Sequence, residues 1–414
     1  MSANKNTIKV VDSIMGSGKT SWAFEYINLL PNDKPVLYIT PYLEEIKRCI
    51  ASCPTKKFVE PEKQFGSKTY DFKDQLIKGV NIAATHSLFR LIDQEALELI
   101  KSYEYVLIMD EVMDIIDIDD TIDSTELKDM IDSDIIKLKG TNVSKIKQVE
   151  SGTRENLKKY EHYRKMASNN RLIYFQNKAL IWLFPANVFE AFSDVYNLTY
   201  LFDGSLQKAY YDLHKIQYDF YSIVGDRTTG YDVMEYDQRY DQADIKVFAK
   251  NVSVHDSKLN GIGRKIGTAN PLSERWYRNN QRTFGLLRNN LKNYFTHIVH
   301  GRANVNMWTT FKKHKCALQG NGYTSGFLSK NTRCTNDYRH KKNLAYMIDV
   351  YPKPEIVHYF KYQNVNMDLK LYALSEMIQW MWRSRIRQHK PINIYVPSNR
   401  MRGLLQDWLD GQIG

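Results

Sequence analysis

Eight residues near the start of the chain constrain its fold more than any other stretch. Ser13-Ile14-Met15-Gly16-Ser17-Gly18-Lys19-Thr20 follows the apolar run Ile8-Lys9-Val10-Val11 and precedes a helix-like segment, 21–27. Strand, glycine loop and helix in that order turn backbone N–H groups and a helix N-terminus toward one small volume, which suits a polyphosphate. Gly16, Ser17 and Gly18 then supply backbone donors, Lys19 reaches the outer phosphates, and the Thr20 hydroxyl sits on Mg²⁺. The expected ligands are ATP and Mg²⁺. A plain glycine turn could join the same elements, but it would not need Gly18-Lys19-Thr20 at the junction.

Further apolar runs repeat the pattern. Pro35-Val36-Leu37-Tyr38-Ile39-Thr40-Pro41 reads as a buried strand before helix-like 42–48, and Asn81-Ile82-Ala83-Ala84-Thr85-His86 as a second. Strands alternating with helices predict a parallel sheet with crossover helices, whose ligands sit at the carboxyl ends of its strands. Tyr105-Val106-Leu107-Ile108-Met109-Asp110-Glu111 delivers two carboxylates to that rim, about 90 residues after the glycine loop. Asp110 is placed to hold Mg²⁺ through water and Glu111 to orient and deprotonate an attacking water.

Taken in order, these segments resemble the motifs of superfamily 2 helicases, in particular the compact, divergent DNA helicases of bacteriophages. Ser13 stands where the loop usually begins with Gly, and that superfamily often has another small residue there. The resemblance implies an Asp-Glu box at Asp110 and Glu111, and nucleic-acid contacts from Thr40 and Pro41, from Thr85 and His86, and from Thr309 in Val305-Asn306-Met307-Trp308-Thr309. His86 also reads as a capping or packing histidine. The Ser-Ala-Thr-like motif that couples hydrolysis to movement falls on Thr199 or on Gly204 and Ser205. The loop 330–338 matches the motif that links nucleotide to strand. Gln379 and Arg383 match the final motif, Gln-x-x-Gly-Arg-x-x-Arg, although Trp382 replaces its Gly and Ile386 its last Arg. On a continuous helix Arg387 shares a face with Arg383, which predicts both at the γ-phosphate and Arg385 elsewhere.

The implied architecture is α/β, with two RecA-like parallel-sheet domains: an ATP-binding domain over 1–210 with an insertion at about 114–172, and a second, basic domain over 211–414 with an insertion at about 226–300. The first insertion switches from acidic to basic and polar, which reads as solvated helices, while 179–185 reads as a buried strand and 342–350 as a helix. Of the net charge of +11, residues 1–210 contribute −3 and 211–414 contribute +14. That asymmetry suits a polyanion, single-stranded or forked DNA or RNA, with replication proteins as further partners. No apolar run has the roughly 20 residues of a membrane span, and the polar start is unlike a signal peptide, so the expectation is a cytoplasmic protein without a membrane partner. Cys49, Cys53, Cys316 and Cys334 lack zinc-site spacing and read as structural. A P-loop nucleoside or polynucleotide kinase is a rival reading, although it leaves the arginines of the second half without a task. A second rival is an ATP-switched DNA-binding or loading factor that does not unwind.

Overall fold

The computed structural model describes residues 7–63, 66–119, 121–140, 145–152, 160–264, 270–330 and 338–413. Four strands come first: β1 (Ile8–Asp12), β2 (Val36–Thr40), β3 (Ile82–Thr85) and β4 (Val106–Asp110). β2 and β4 are buried at every residue, which explains their continuous apolar sequences: helices cover both faces of a parallel sheet. The chain then departs to form β5 (Ile116–Ile118), β6 (Ile136–Lys139), β7 (Ile146–Ser151), β8 (Leu172–Phe175) and β9 (Ala179–Leu183). These make a separate antiparallel sheet of order β5-β9-β8-β7-β6. It returns for β10 (Asp194–Thr199), β11 (Tyr218–Asp226) and β12 (Gly230–Glu235). The resulting seven-stranded sheet has the order β12-β11-β1-β10-β4-β2-β3 and is parallel except for the edge strand β12.

A connecting helix, Gln238–Ala249, leads to the second sheet, formed by β13 (Val252–His255), β14 (Asn306–Thr309), β15 (Asn343–Tyr346) and β16 (Ile392–Tyr395). Its order is β13-β16-β15-β14, and every pairing is parallel. The α/β class with two parallel sheets is thus present, but several sequence expectations need correction. β11 and β12 belong to the first sheet, so a division near 210 cuts through it. The segment 226–300 is no single insertion, because it holds β12, the connecting helix and β13. The segment 114–172 holds two helices as expected, Ser124–Asp132 and Glu161–Ser168, but also the strands β5, β6 and β7, where Ile136-Lys-Leu-Lys alternates with period two and exposes its lysines. β9 pairs within that antiparallel sheet rather than in the main one. The stretch 342–350 contains β15 and not a helix. Residues 331–337 of the expected nucleotide-to-strand loop lie outside the described residues, as does Cys334. Cys49 and Cys53 are buried free thiols, and Cys316 is exposed.

An apolar cluster joins the sheets. Ile14, Tyr200 and Leu201 from the rim of the first pack with Phe248 of the connecting helix and with Met377, Trp382 and Trp408 of the second half. Full burial of such a side chain stabilises by about 1.5–3 kcal/mol. The Trp408 indole N–H also donates to the Tyr200 hydroxyl at 2.8 Å. Gly204 permits close approach here, because a Cβ on it would come within 2.4 Å of the Leu371 backbone. The glycine loop after β1 therefore lies in the cleft between the sheets.

Candidate functional site

Gly16 and Gly18 have φ of 90° and 105°, in the left-handed region that glycine alone enters without strain. Gly18 is doubly required, since a Cβ there would lie 2.1 Å from the Tyr231 ring of β12. Helix Lys19–Leu29 starts at once. Lys19 is buried, and its ammonium donates to the Ser13 carbonyl and, at 3.0 Å, to the Ile14 carbonyl. Burial lowers its pKa, while the charges of Glu111, Asp241, Asp12 and Asp110 oppose the shift. The Thr20 hydroxyl donates to Asp110 Oδ1 at 3.2 Å, and the Tyr38 hydroxyl to Asp110 Oδ2 at 2.8 Å. Burial raises the Asp110 pKa against those two hydrogen bonds. A hydroxyl and a carboxylate side by side suit a hard cation. Among the described residues no group of three or more His, Cys, Asp or Glu side chains could hold a metal. A cation at Thr20 and Asp110 would thus take its other oxygens from water or from a ligand.

Glu111 has φ of 72°, uncommon for a residue with a side chain, and its N–H donates to the Leu198 carbonyl at 2.9 Å. Burial, then the neighbouring Asp110, raises its pKa to about 7, and Lys19, Arg383 and Arg387 pull the other way. One carboxyl group thus feels cations from both halves of the chain. Helix Leu369–Met381, which carries the half-buried Gln379, ends before Arg383, and a 3-10 turn Arg385–Gln388 follows. The common-helix argument for Arg383 and Arg387 is therefore corrected, although both lie close enough to act on Glu111. Arg385 is tied elsewhere, its Nε donating to the Pro391 carbonyl at 2.5 Å.

Several buried polar atoms around this cleft have no hydrogen-bond partner among the described residues: Ser17 Oγ, Thr199 Oγ1, Trp382 Nε1 and Arg383 Nη1. Trp382 Nε1 lies 3.8 Å from where a Gly16 Cβ would be. A buried unpaired polar group costs about 1–3 kcal/mol, so several at one cleft suit a polar ligand that would satisfy them. Thr199 pairs in register with Asp12, one strand from Glu111, whereas Gly204 packs on Leu371 and Ser205 caps helix Leu206–His214.

The other sequence candidates sit farther along the rims. Thr40 and Thr85 are register partners at the ends of β2 and β3. Thr40 Oγ1 accepts from the Tyr42 N–H at 3.3 Å, beside the half-buried Pro41, and Thr85 Oγ1 accepts from the Leu88 N–H at 3.3 Å. His86 is buried at the start of the helix His86–Phe89. Thr309 is fully buried at the end of β14, its hydroxyl unpartnered among the described residues.

Two site carboxylates escaped the sequence reading. Asp12 Oδ2 accepts from the Phe202 N–H at 2.9 Å, and burial raises the Asp12 pKa to about 7. Asp241, on the connecting helix, accepts from the Ile14 N–H at 2.9 Å, and burial raises its pKa to about 6. A carboxylate ending an apolar strand was a visible signal for Asp12. Asp241 had none, being one acid on an ordinary amphipathic helix.

Fold and site together define an α/β protein of two largely parallel sheets and a third, antiparallel one, with a Gly-Lys-Thr loop, an Asp-Glu pair and two arginines toward one cleft. The chain is 39% identical over 411 residues, 98% of its length and 99% of the other's, to the SPbeta prophage-derived uncharacterized protein YonV of Bacillus subtilis (strain 168). It belongs to the YonV family. Residues 246–409 match the family model of the YonV C-terminal Rossmann-like domain. Among solved structures it is similar to that of S. tokodaii Xpd4, at 12% identity and a TM-score of 0.46, covering 97% of this chain and 94% of that one.

Proposed function

We propose that the chain is an ATP-hydrolysing helicase or translocase of the superfamily 2 type, driven along single-stranded nucleic acid and able to open duplex DNA. The observation that carries this reading is that Glu111 feels the charges of Lys19 from the glycine loop and of Arg383 and Arg387 from the second half, where the adjoining Trp382 Nε1 lies 3.8 Å from where a Gly16 Cβ would be. Lys19 and the N–H groups of 16–20 hold phosphates, and Thr20 and Asp110 hold Mg²⁺. The unpartnered Ser17 Oγ and Arg383 Nη1 are groups that a phosphate could satisfy. ATP supplies the phosphoryl group whose transfer to water releases free energy. Glu111 takes the proton of that water, and the two arginines neutralise charge that builds up during transfer. Because base and arginines come from different sheets, turnover requires the sheets to close, and closure moves a strand lying across both. The +14 charge of 211–414 gives that strand a surface, and a cytoplasmic role in phage DNA replication fits the reading.

Phosphate release from Mg·ATP, with and without single-stranded DNA or RNA, tests this. Strand-stimulated release that vanishes in Lys19→Ala, together with ATP-dependent displacement from a forked duplex, is expected. Transfer of phosphate to an acceptor would replace this reading with a kinase. Strand binding with negligible turnover would replace it with an ATP-switched binding factor.

A further inference from the structure

The antiparallel sheet of β5 to β9 does not merely hang from the first sheet; it closes a pocket against it. A cleft of about 430 Å³ opens where three bodies meet: Ser87 and Arg90 follow β3, His162, Arg171 and Trp182 come from the antiparallel unit, and Lys353 from the second half. The Arg90 guanidinium carbon lies 4.1 Å from the centroid of the Trp182 ring, so the indole carries a flat cation on its face. Arg171 is buried and donates through its Nη atoms to the backbone carbonyls of Arg90 (2.8 Å) and Ile92. Its Nε is buried without a partner among the described residues.

The charges decide what such a pocket can take. Lys353 is paired with Asp117 at 3.1 Å, which cancels both. Asp119 stays ionised, held by the Thr121 N–H at 2.9 Å and the Thr121 hydroxyl at 2.5 Å. A carboxylate on the wall repels a phosphate but accepts hydrogen bonds from the edge of a base. A guanidinium plane backed by an indole is a stacking surface for a flat ring.

We propose that this pocket takes one unstacked nucleobase of a single strand, with Arg90 on Trp182 as the stacking platform and the antiparallel unit as its outer wall. This rests on the helicase reading, because the strand reaches the pocket along the rim where Thr85 and His86 immediately precede Ser87. Bases on either side stay outside, so the unit fixes the register of the strand on the first sheet.

The test uses the full chain and a single-stranded oligonucleotide carrying 2-aminopurine at successive positions, whose fluorescence falls when it stacks. Wild type should quench one position well beyond its neighbours. Arg90→Ala should abolish that quenching and weaken anisotropy-measured affinity by ~5- to 150-fold, the range of one base stack. Arg90→Lys, which keeps the charge but loses the plane, should restore little. Trp182→Ala removes a core residue, so Trp182→Phe is the companion variant, and it should retain partial quenching. Uniform quenching along the oligonucleotide, or equal affinity and quenching for wild type and Arg90→Ala, would overturn the pocket assignment while leaving the helicase reading intact. Failure of wild type to bind any single strand at low salt would instead overturn the helicase reading and the pocket with it.

Discussion

The strongest consequence of the site lies in the acid limb of its pH–rate profile. Glu111 must be ionised to accept a proton, yet burial and Asp110 lift its pKa from 4.5 to about 7. Ionising it therefore costs ~3 kcal/mol more than ionising a glutamate in water. In the free enzyme about one molecule in ten carries the active form at pH 6, about half at pH 7 and most at pH 8. The expected kcat/KM for Mg·ATP, measured by phosphate release at subsaturating ATP and constant ionic strength, falls about tenfold per pH unit below 7 and levels off above it. ATP protonates in the same region, so Glu111→Gln supplies the control: its residual rate reports the nucleotide alone. That variant should bind ATP and turn over at least ~100-fold more slowly, since its shape is kept while the base is lost. A wild-type profile no steeper than that of Glu111→Gln, or near-normal phosphate release by Glu111→Gln, would refute Glu111 as the base.

Three other outcomes follow from named contacts. Arg383→Ala and Arg387→Ala should each lower kcat by ~10³ or more with ATP binding retained, while Arg385→Ala leaves kcat within a few-fold and lowers thermal stability through loss of its bond to Pro391; equal kcat losses in all three would void the assignment. Asp12 keeps its proton to about pH 7 in the folded chain but to about 3.8 when unfolded, so folded-state stability is full below about pH 4 and declines by up to ~4 kcal/mol on the way to pH 7. Asp12→Asn, which can still accept from Phe202, should remove that decline and raise the melting temperature at pH 8, and a lower one would contradict the argument. Affinity for single strands should fall with salt at a log–log slope near −0.7 per phosphate contacted, and a flat line would leave the charge of 211–414 without a nucleic-acid role.

How far the sequence could be read depended on burial. β2, β3 and β4 are buried along almost their whole length, so their apolar runs are unbroken and their polar ends mark the rim, while β1 and β10 are interrupted only by Lys9 and Asn197. That made Lys19, Thr20, Asp110 and Glu111 legible as a group before any coordinates. β6 has an exposed face and β7 is mostly half-buried, and an alternation such as Ile-Lys-Leu-Lys resembles a solvated charge run when its partner strands are unknown. β9 was recognised as a strand but its sheet was not legible, because a buried antiparallel strand and a buried parallel one read alike. The boundary at 210 failed because composition changes there while strand pairing does not. Arg383 was reached through the order of the final motif, and Arg387 only through a helical spacing that the chain does not keep. Asp241 and Tyr231 touch the loop only through the fold, some two hundred residues away in sequence, and no local pattern marks them.

The grip of Asp241 on Ile14 bears on how such a protein can be inherited. The connecting helix is usually the expendable part of a two-lobed molecule, the place where gene fusion and exchange do least harm. Here it carries a carboxylate that fixes the backbone of the glycine loop, so the junction and the floor of the cleft form one unit of descent. A recombination point between β12 and the connecting helix would separate a loop from the helix that fits it, even if each sheet folded unharmed. Viable mosaics between distant relatives should therefore carry this helix together with the amino-terminal loop, and the helix should track the history of the first half of the gene rather than that of the second.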